Sequence, residues 1–309
     1  AAWMAWGGGC VTLGVVAYAV NIVATFIRKR EWNLFVFGVS LSLLSFLAMI
    51  GMGMAMSASF AANAPIERYD AIFGTHLWLG LGGWLSGLIL VYSFKLLPMF
   101  YVSRRKPAKS SYWIVGGFHA GIWLHVLALW LDSEYAQSLA ALGDVLVLAA
   151  FLAALLFFRE VRAMSSGKQP IGVVKIGYAL LPALFAVFTA WCVVRWFGWR
   201  IGMVNEAFVI CLVLGWFAPS IFAYLSKIFP FLWWARRYRT KEQKKTAPML
   251  AEMIAEKRMV RELGGYLLGV AVAAIGFTVG ASEWVLVGQA AALICIIVYL
   301  AELLRVFWH

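Results

Sequence analysis

From Ala71 to Leu97 the chain reads AIFGTHLWLGLGGWLSGLILVYSFKLL, a continuous apolar run. At 1.5 Å per residue a helix of this length crosses a hydrocarbon core of roughly 30 Å with residues to spare. The apolar residues follow one another without the alternation of a barrel strand, so the run predicts a transmembrane helix. Eight further runs recur on either side of it. Together the nine fall at about Trp3–Ile27, Leu34–Phe60, Ala71–Leu97, Tyr112–Leu131, Ser138–Phe158, Gly172–Val194, Met203–Phe229, Leu263–Ala281 and Trp284–Val306. Of the 309 residues 64% are hydrophobic and 13% charged, which excludes an ordinary soluble domain. The expected fold is an all-α polytopic transmembrane helical bundle of about nine spans.

A formal charge of +12 raises the question of nucleic acid, and the placement of the charges answers it. With the spans alternating, 23 of the 26 Lys and Arg fall on one side, and only Arg68, Arg195 and Arg200 fall opposite. The 14 acids divide seven and seven. That is the signature of the positive-inside rule, which sorts Lys and Arg and scarcely notices Asp and Glu. No nucleic-acid partner is expected. The reading is a multi-pass protein of a bacterial or archaeal cytoplasmic membrane, its first visible residue outside and its C-terminus inside. No cleavable signal peptide is evident, and the opening Ala1-Ala2-Trp3 points to a processed start or a preceding segment.

Most connections are short and no internal repeat is evident, so residues 1–309 read as a single transmembrane domain. The exception is the basic stretch 231–262. Pro248 marks a helix start there, and Met249, Leu250, Met253, Ile254 and Val260 recur at helical spacing among charged residues. This predicts one cytoplasmic interfacial amphipathic helix. The four cysteines form no C-x-x-C and no haem-attachment motif, and read as small core residues. Most of the sixteen tryptophans read as interfacial anchors.

Three of the four histidines, His76, His119 and His125, lie inside consecutive spans, where ionisable groups are costly and usually face a partner. His76 and His125 each sit about 8–9 Å from the outer ends of their spans, by the helical rise. Their rings can share a level and supply two axial ligands to one metal, a haem iron. His119 lies about 9 Å deeper and about 120° round the helix from His125, so His76 with His119 is the second choice. Gly80, Gly82, Gly83 and Gly87, with Gly116, Gly117, Ala120 and Gly121, would leave room for a flat macrocycle, and would equally allow close helix packing. Asp144 sits at a similar level and could orient a ligating imidazole. Arg195 and Arg200 could pair with haem propionates.

The run HLWLGLGGWLSGLILVYSFKLLPMF after Thr75 resembles a signature of membrane proteins related to the haem-copper oxidase catalytic subunit, including the NnrS-like group. There a His near a helix start precedes a Leu-Gly-x-x-Gly-Trp pattern, and the helix closes with Leu-x-Pro-Met-Phe. Lys227-Ile228-Phe229-Pro230-Phe231-Leu232-Trp233, followed by Arg237-Tyr238 and Pro248, resembles a second stretch of the subunit-I-like group. The resemblance implies a bundle binding b-type haem, with His76 as a ligand. A complete catalytic centre of that group calls on about six histidines, more than this chain offers, which argues against oxidase or nitric oxide reductase activity of its own. The expectation is therefore a subunit with one haem b, with a quinone as a further candidate ligand, that carries electrons within a respiratory complex alongside other subunits. A structural or assembly subunit without a cofactor is the alternative, and a transporter the third reading.

Overall fold

A computed structural model describes residues 2–167, 172–199 and 203–308. Among these residues there is no strand, and nine helices are long and apolar enough to span a membrane. They are α1 (Ala2–Lys29), α2 (Leu34–Ala62), α3 (Tyr69–Phe100), α4 (Lys109–Trp130), α5 (Tyr135–Ala163), α6 (Val174–Trp196), α7 (Val204–Arg237), α8 (Glu256–Val279) and α9 (Ser282–Leu304). The protein is a multi-pass, all-α membrane protein.

Local chemistry sets the ends. Asn33 caps α2, its side chain accepting the Val36 N–H at 3.1 Å, and Asn63 closes the same helix in the left-handed conformation, φ 49°. Two helices depart from α geometry midway. α3 is π-helical over Trp78–Ser86 and α7 over Val213–Phe217, and each carries a proline near its end, Pro98 and Pro230.

The residues group into two compact units, one of 1–99 and 103–164, the other of 100–102 and 165–309. In the first, α2 and α3 meet along a seam of small residues. A Cβ built on Gly80, Gly83 or Gly87 would lie 2.6, 2.5 or 2.6 Å from the side chains of Met49, Ser45 or Ser42. Lipid gives no hydrophobic drive for helices to associate, so close backbone approach of this kind supplies the attraction. In the second unit the core gathers Met259, Leu263 and Tyr266 of α8 with Tyr299 and Leu303 of α9. The Tyr299 hydroxyl donates to the Phe222 carbonyl at 2.7 Å.

The two units repeat one pattern, which corrects the expectation of no repeat. Gly83-Trp84 and Gly215-Trp216 each lie in the π-helical stretch, and in both helices the order Gly-Trp, Tyr, Lys, Pro returns at identical spacing: Tyr92, Lys95 and Pro98 against Tyr224, Lys227 and Pro230. The next helices share Gly116-Gly117-Phe118-x-x-Gly121 and Gly264-Gly265-Tyr266-x-x-Gly269. In each, the last glycine meets a glycine of the following helix. A Cβ on Gly121 would lie 2.7 Å from the Gly143 carbonyl oxygen, and one on Gly269 would lie 2.6 Å from that of Gly288.

The amphipathic surface helix expected within 231–262 takes another form. A short polar helix, Lys241–Thr246, is followed by turns, and the next helix starts only at Glu256 and runs on into the span. Met253 and Ile254 lie in the turns and are buried in the core of the second unit. The Trp234 indole donates to the Pro248 carbonyl at 3.0 Å, and the buried Glu302 carboxylate accepts the Ala255 N–H at 2.9 Å. Glu302 also receives Arg305, at 3.2 Å to each oxygen. Glu302→Ala is expected to cost about 1–2 kcal/mol, chiefly from the Ala255 N–H left without its acceptor, since the arginines that meet Glu302 are half exposed. Limited trypsin digestion should then cut faster at Lys257 and Arg258.

Candidate functional site

The intramembrane histidines all lie in the first unit, and each ties its own helix to another. His76, half-buried on α3, makes a 3.0 Å hydrogen bond from Nδ1 to the Met49 carbonyl of α2. Gly53 makes room for this ring, since a Cβ there would lie 3.1 Å from Cε1 of His76. His119 on α4 is buried, with Nε2 3.5 Å from the Ser42 hydroxyl of α2. A Cβ on Gly87 would lie 2.9 Å from that Nε2, so backbone of α3 closes the space beside it.

His125 is the most constrained of the three. Its side chain is 2% exposed, and its Nε2 lies 2.6 Å from Oδ1 of Asp144 on α5, itself 1% exposed. The imidazole N–H donates and the carboxylate accepts, the shorter charge-assisted kind of hydrogen bond. The Trp78 indole of α3 stacks on one face of the ring, with centroids 3.9 Å apart and planes 10° from parallel. On the other flank Gly143 lets α5 approach, since a Cβ there would lie 3.0 Å from Cδ2 of His125. The glycine contact that joins α4 to α5 therefore also delivers Asp144 to the ring.

These distances bear on the expected haem. A ligating histidine presents one ring nitrogen to the metal and uses the other to donate to a carboxylate or carbonyl. In His125 Nε2 is held by Asp144 and one ring face is covered by Trp78, so only Nδ1, the nitrogen nearer the main chain, could face a metal, and there a macrocycle clamped between His76 and His125 would meet the helix that carries the ring. The second choice fares no better, because Gly87 packs against Nε2 of His119. His76 alone keeps the geometry of a ligand, with Nδ1 on a main-chain carbonyl and Nε2 without a hydrogen bond among the described residues. Among those residues no three of His, Cys, Asp and Glu gather as a metal would require.

Of the remaining candidates, Asp144 does meet an imidazole, as its depth in the sequence suggested. Arg195 belongs to the second unit, its guanidinium 4.4 Å from the centroid of the Trp191 ring. Arg200 lies outside the described residues. Sequence reasoning missed Trp78, Ser42 and the Met49 carbonyl. Trp78 carried a signal, standing two residues beyond His76 at the same level, but nothing in the pattern aimed it at His125.

The repeat sharpens the picture. In register with His119, His125 and Asp144 the second unit has Leu267, Ala273 and Gln289. The glycine crossing is common to both units and the buried His–Asp pair is an addition to the first. Comparison with family models, with curated proteins and with solved structures returned no match.

Proposed function

We propose that the chain is a structural subunit of a membrane redox assembly, in which the intramembrane histidines hold helices together without a metal. The observation that supports this reading is the 2.6 Å bond between His125 Nε2 and Asp144, which turns the far end of the ring to a neighbouring helix. The redox association rests on the resemblance of the 76–100 and 227–233 stretches to the oxidase-subunit-I-like group. The distribution of Lys and Arg supports a basic face turned to the cytoplasm.

A second reading, a haem b subunit that carries electrons, is favoured by His76, whose Nδ1 bond to the Met49 carbonyl is the outer arrangement typical of a ligating histidine. An optical spectrum of protein purified from haem-supplied cells separates the two. The structural reading expects a folded protein with no Soret band before or after reduction. Reduced b-type bands, lost in His76→Ala while the helical content stays, would establish the second reading in its place.

A further inference from the structure

A cavity of about 590 Å³ opens in the first unit where α1 and α3 finish and α2 and α4 begin. Three lysines reach it from separate parts of the chain: Lys29 from the last turn of α1, Lys95 from α3, and Lys106 from the connection to α4. One carboxylate, Glu31, answers them. Between the charges the wall is apolar, with Val91 and Phe94 on the side that leads into the span.

The repeat shows how unusual Lys95 is. Its counterpart Lys227 forms an ion pair with Glu256 at the start of α8. The register set by Gly121 and Gly269 puts Ala108, followed by Lys109, where the second unit has Glu256. Among the described residues Lys95 has no ion pair. Its ammonium sits 4.4 Å from the centroid of the Phe35 ring, a contact that leaves its N–H groups available to a ligand.

We propose that this cavity binds the phosphate group of an anionic membrane lipid. Lysines from three chain segments line it with one acid, Glu31, among the lining residues, an excess of positive charge that selects an anion. The site lies at the level where helices end and head groups begin, and basic pockets between helices at that level hold lipid phosphates. The apolar wall then takes the glycerol and upper acyl carbons, a surface for which a soluble anion has no use. The same position in the second unit is neutralised from within by Glu256, so one site per chain is expected.

The test is native mass spectrometry of the detergent-purified full chain, titrated with phosphatidylglycerol, phosphatidylcholine or inorganic phosphate. Wild type should retain one phosphatidylglycerol. Lys95→Gln should bind it about fivefold more weakly, the effect of one lysine near a charged lipid surface, and the Lys29→Gln/Lys95→Gln/Lys106→Gln variant about a hundredfold more weakly. Lys241→Gln, outside the cavity, should bind as wild type does. Circular dichroism establishes that each variant is folded, and the exposed position of Lys95 favours a folded glutamine variant. Equal retention of phosphatidylcholine, or a Lys95-independent affinity for phosphatidylglycerol, would overturn the proposal. So would retention of inorganic phosphate in place of the lipid.

Discussion

His125→Ala is expected to lower the stability of the first unit by about 3 kcal/mol, the cost of taking a hydrogen-bond donor from a buried carboxylate. Hydrogen bonds between transmembrane helices are worth only about 0.6 kcal/mol on average, because the separated helices find other partners. This pair should exceed that figure for two reasons. Asp144 is 1% exposed and would be left in the core without the imidazole, and the Trp78 face would lose its stacking partner. Asp144→Asn keeps an acceptor at the same place and should cost only about 1 kcal/mol. The instructive variant is His125→Ala with Asp144→Gln, which installs the pair found at Ala273 and Gln289. Removing both partners together should cost less than the sum of His125→Ala and Asp144→Gln made singly, and a double-mutant cycle by unfolding in mixed micelles measures the difference. Strict additivity would mean that the two side chains do not cooperate.

The largest effect of all is expected at the glycine crossing of the second unit. Gly269→Val places side-chain carbon against the Gly288 carbonyl oxygen and the Ala292 amide, at 2.6 and 2.7 Å from the Cβ. These are main-chain atoms and cannot rotate away, so the helices must separate. A cost of about 3 kcal/mol or more is expected, at the upper end of overpacking effects, with poor accumulation of folded protein. The same motif supplies its own control. Gly117 and Gly264 meet nothing within 4 Å. Alanine at either should be neutral or stabilising by up to about 1 kcal/mol, through helix propensity alone. Thermal unfolding of Gly117→Ala and Gly121→Ala side by side should thus give shifts of opposite sign, since Gly121 faces the Gly143 carbonyl oxygen at 2.7 Å from its Cβ.

The spans were legible in the sequence because membrane insertion reads composition over a window, and composition needs no knowledge of neighbours. The pairing of Tyr92, Lys95 and Pro98 with Tyr224, Lys227 and Pro230 was also present in the letters. It was hidden by unequal connections, residues 101–108 after the first member and 238–255 after the second, which break any constant offset. The turn at Met253 and Ile254 escaped because residues buried by a turn and residues on one helix face can share the same spacing. The Glu302 carboxylate, remote in sequence, accepts the Ala255 N–H at the end of that turn.

The histidines show the limit most clearly. Depth along a helix follows from counting residues, and the matched level of His76, His125 and Asp144 was found that way. Which ring nitrogen meets which partner depends on side-chain rotamers and on helix separation. The separation here is set by Gly121 and Gly143. A small-residue pattern signals close approach without saying whether a macrocycle or a neighbouring helix fills the space. In this unit neighbouring helices lie against Gly80, Gly83, Gly87 and Gly121.

Solid-state NMR of protein labelled with 15N at histidine reads the state of the His125 ring directly. A protonated Nε2 in a strong hydrogen bond, with its shift moved toward that of a weaker hydrogen bond in Asp144→Asn and no paramagnetic broadening of any histidine signal, is the expected result. A His125 resonance displaced or broadened by iron, and unaffected by Asp144→Asn, would contradict it.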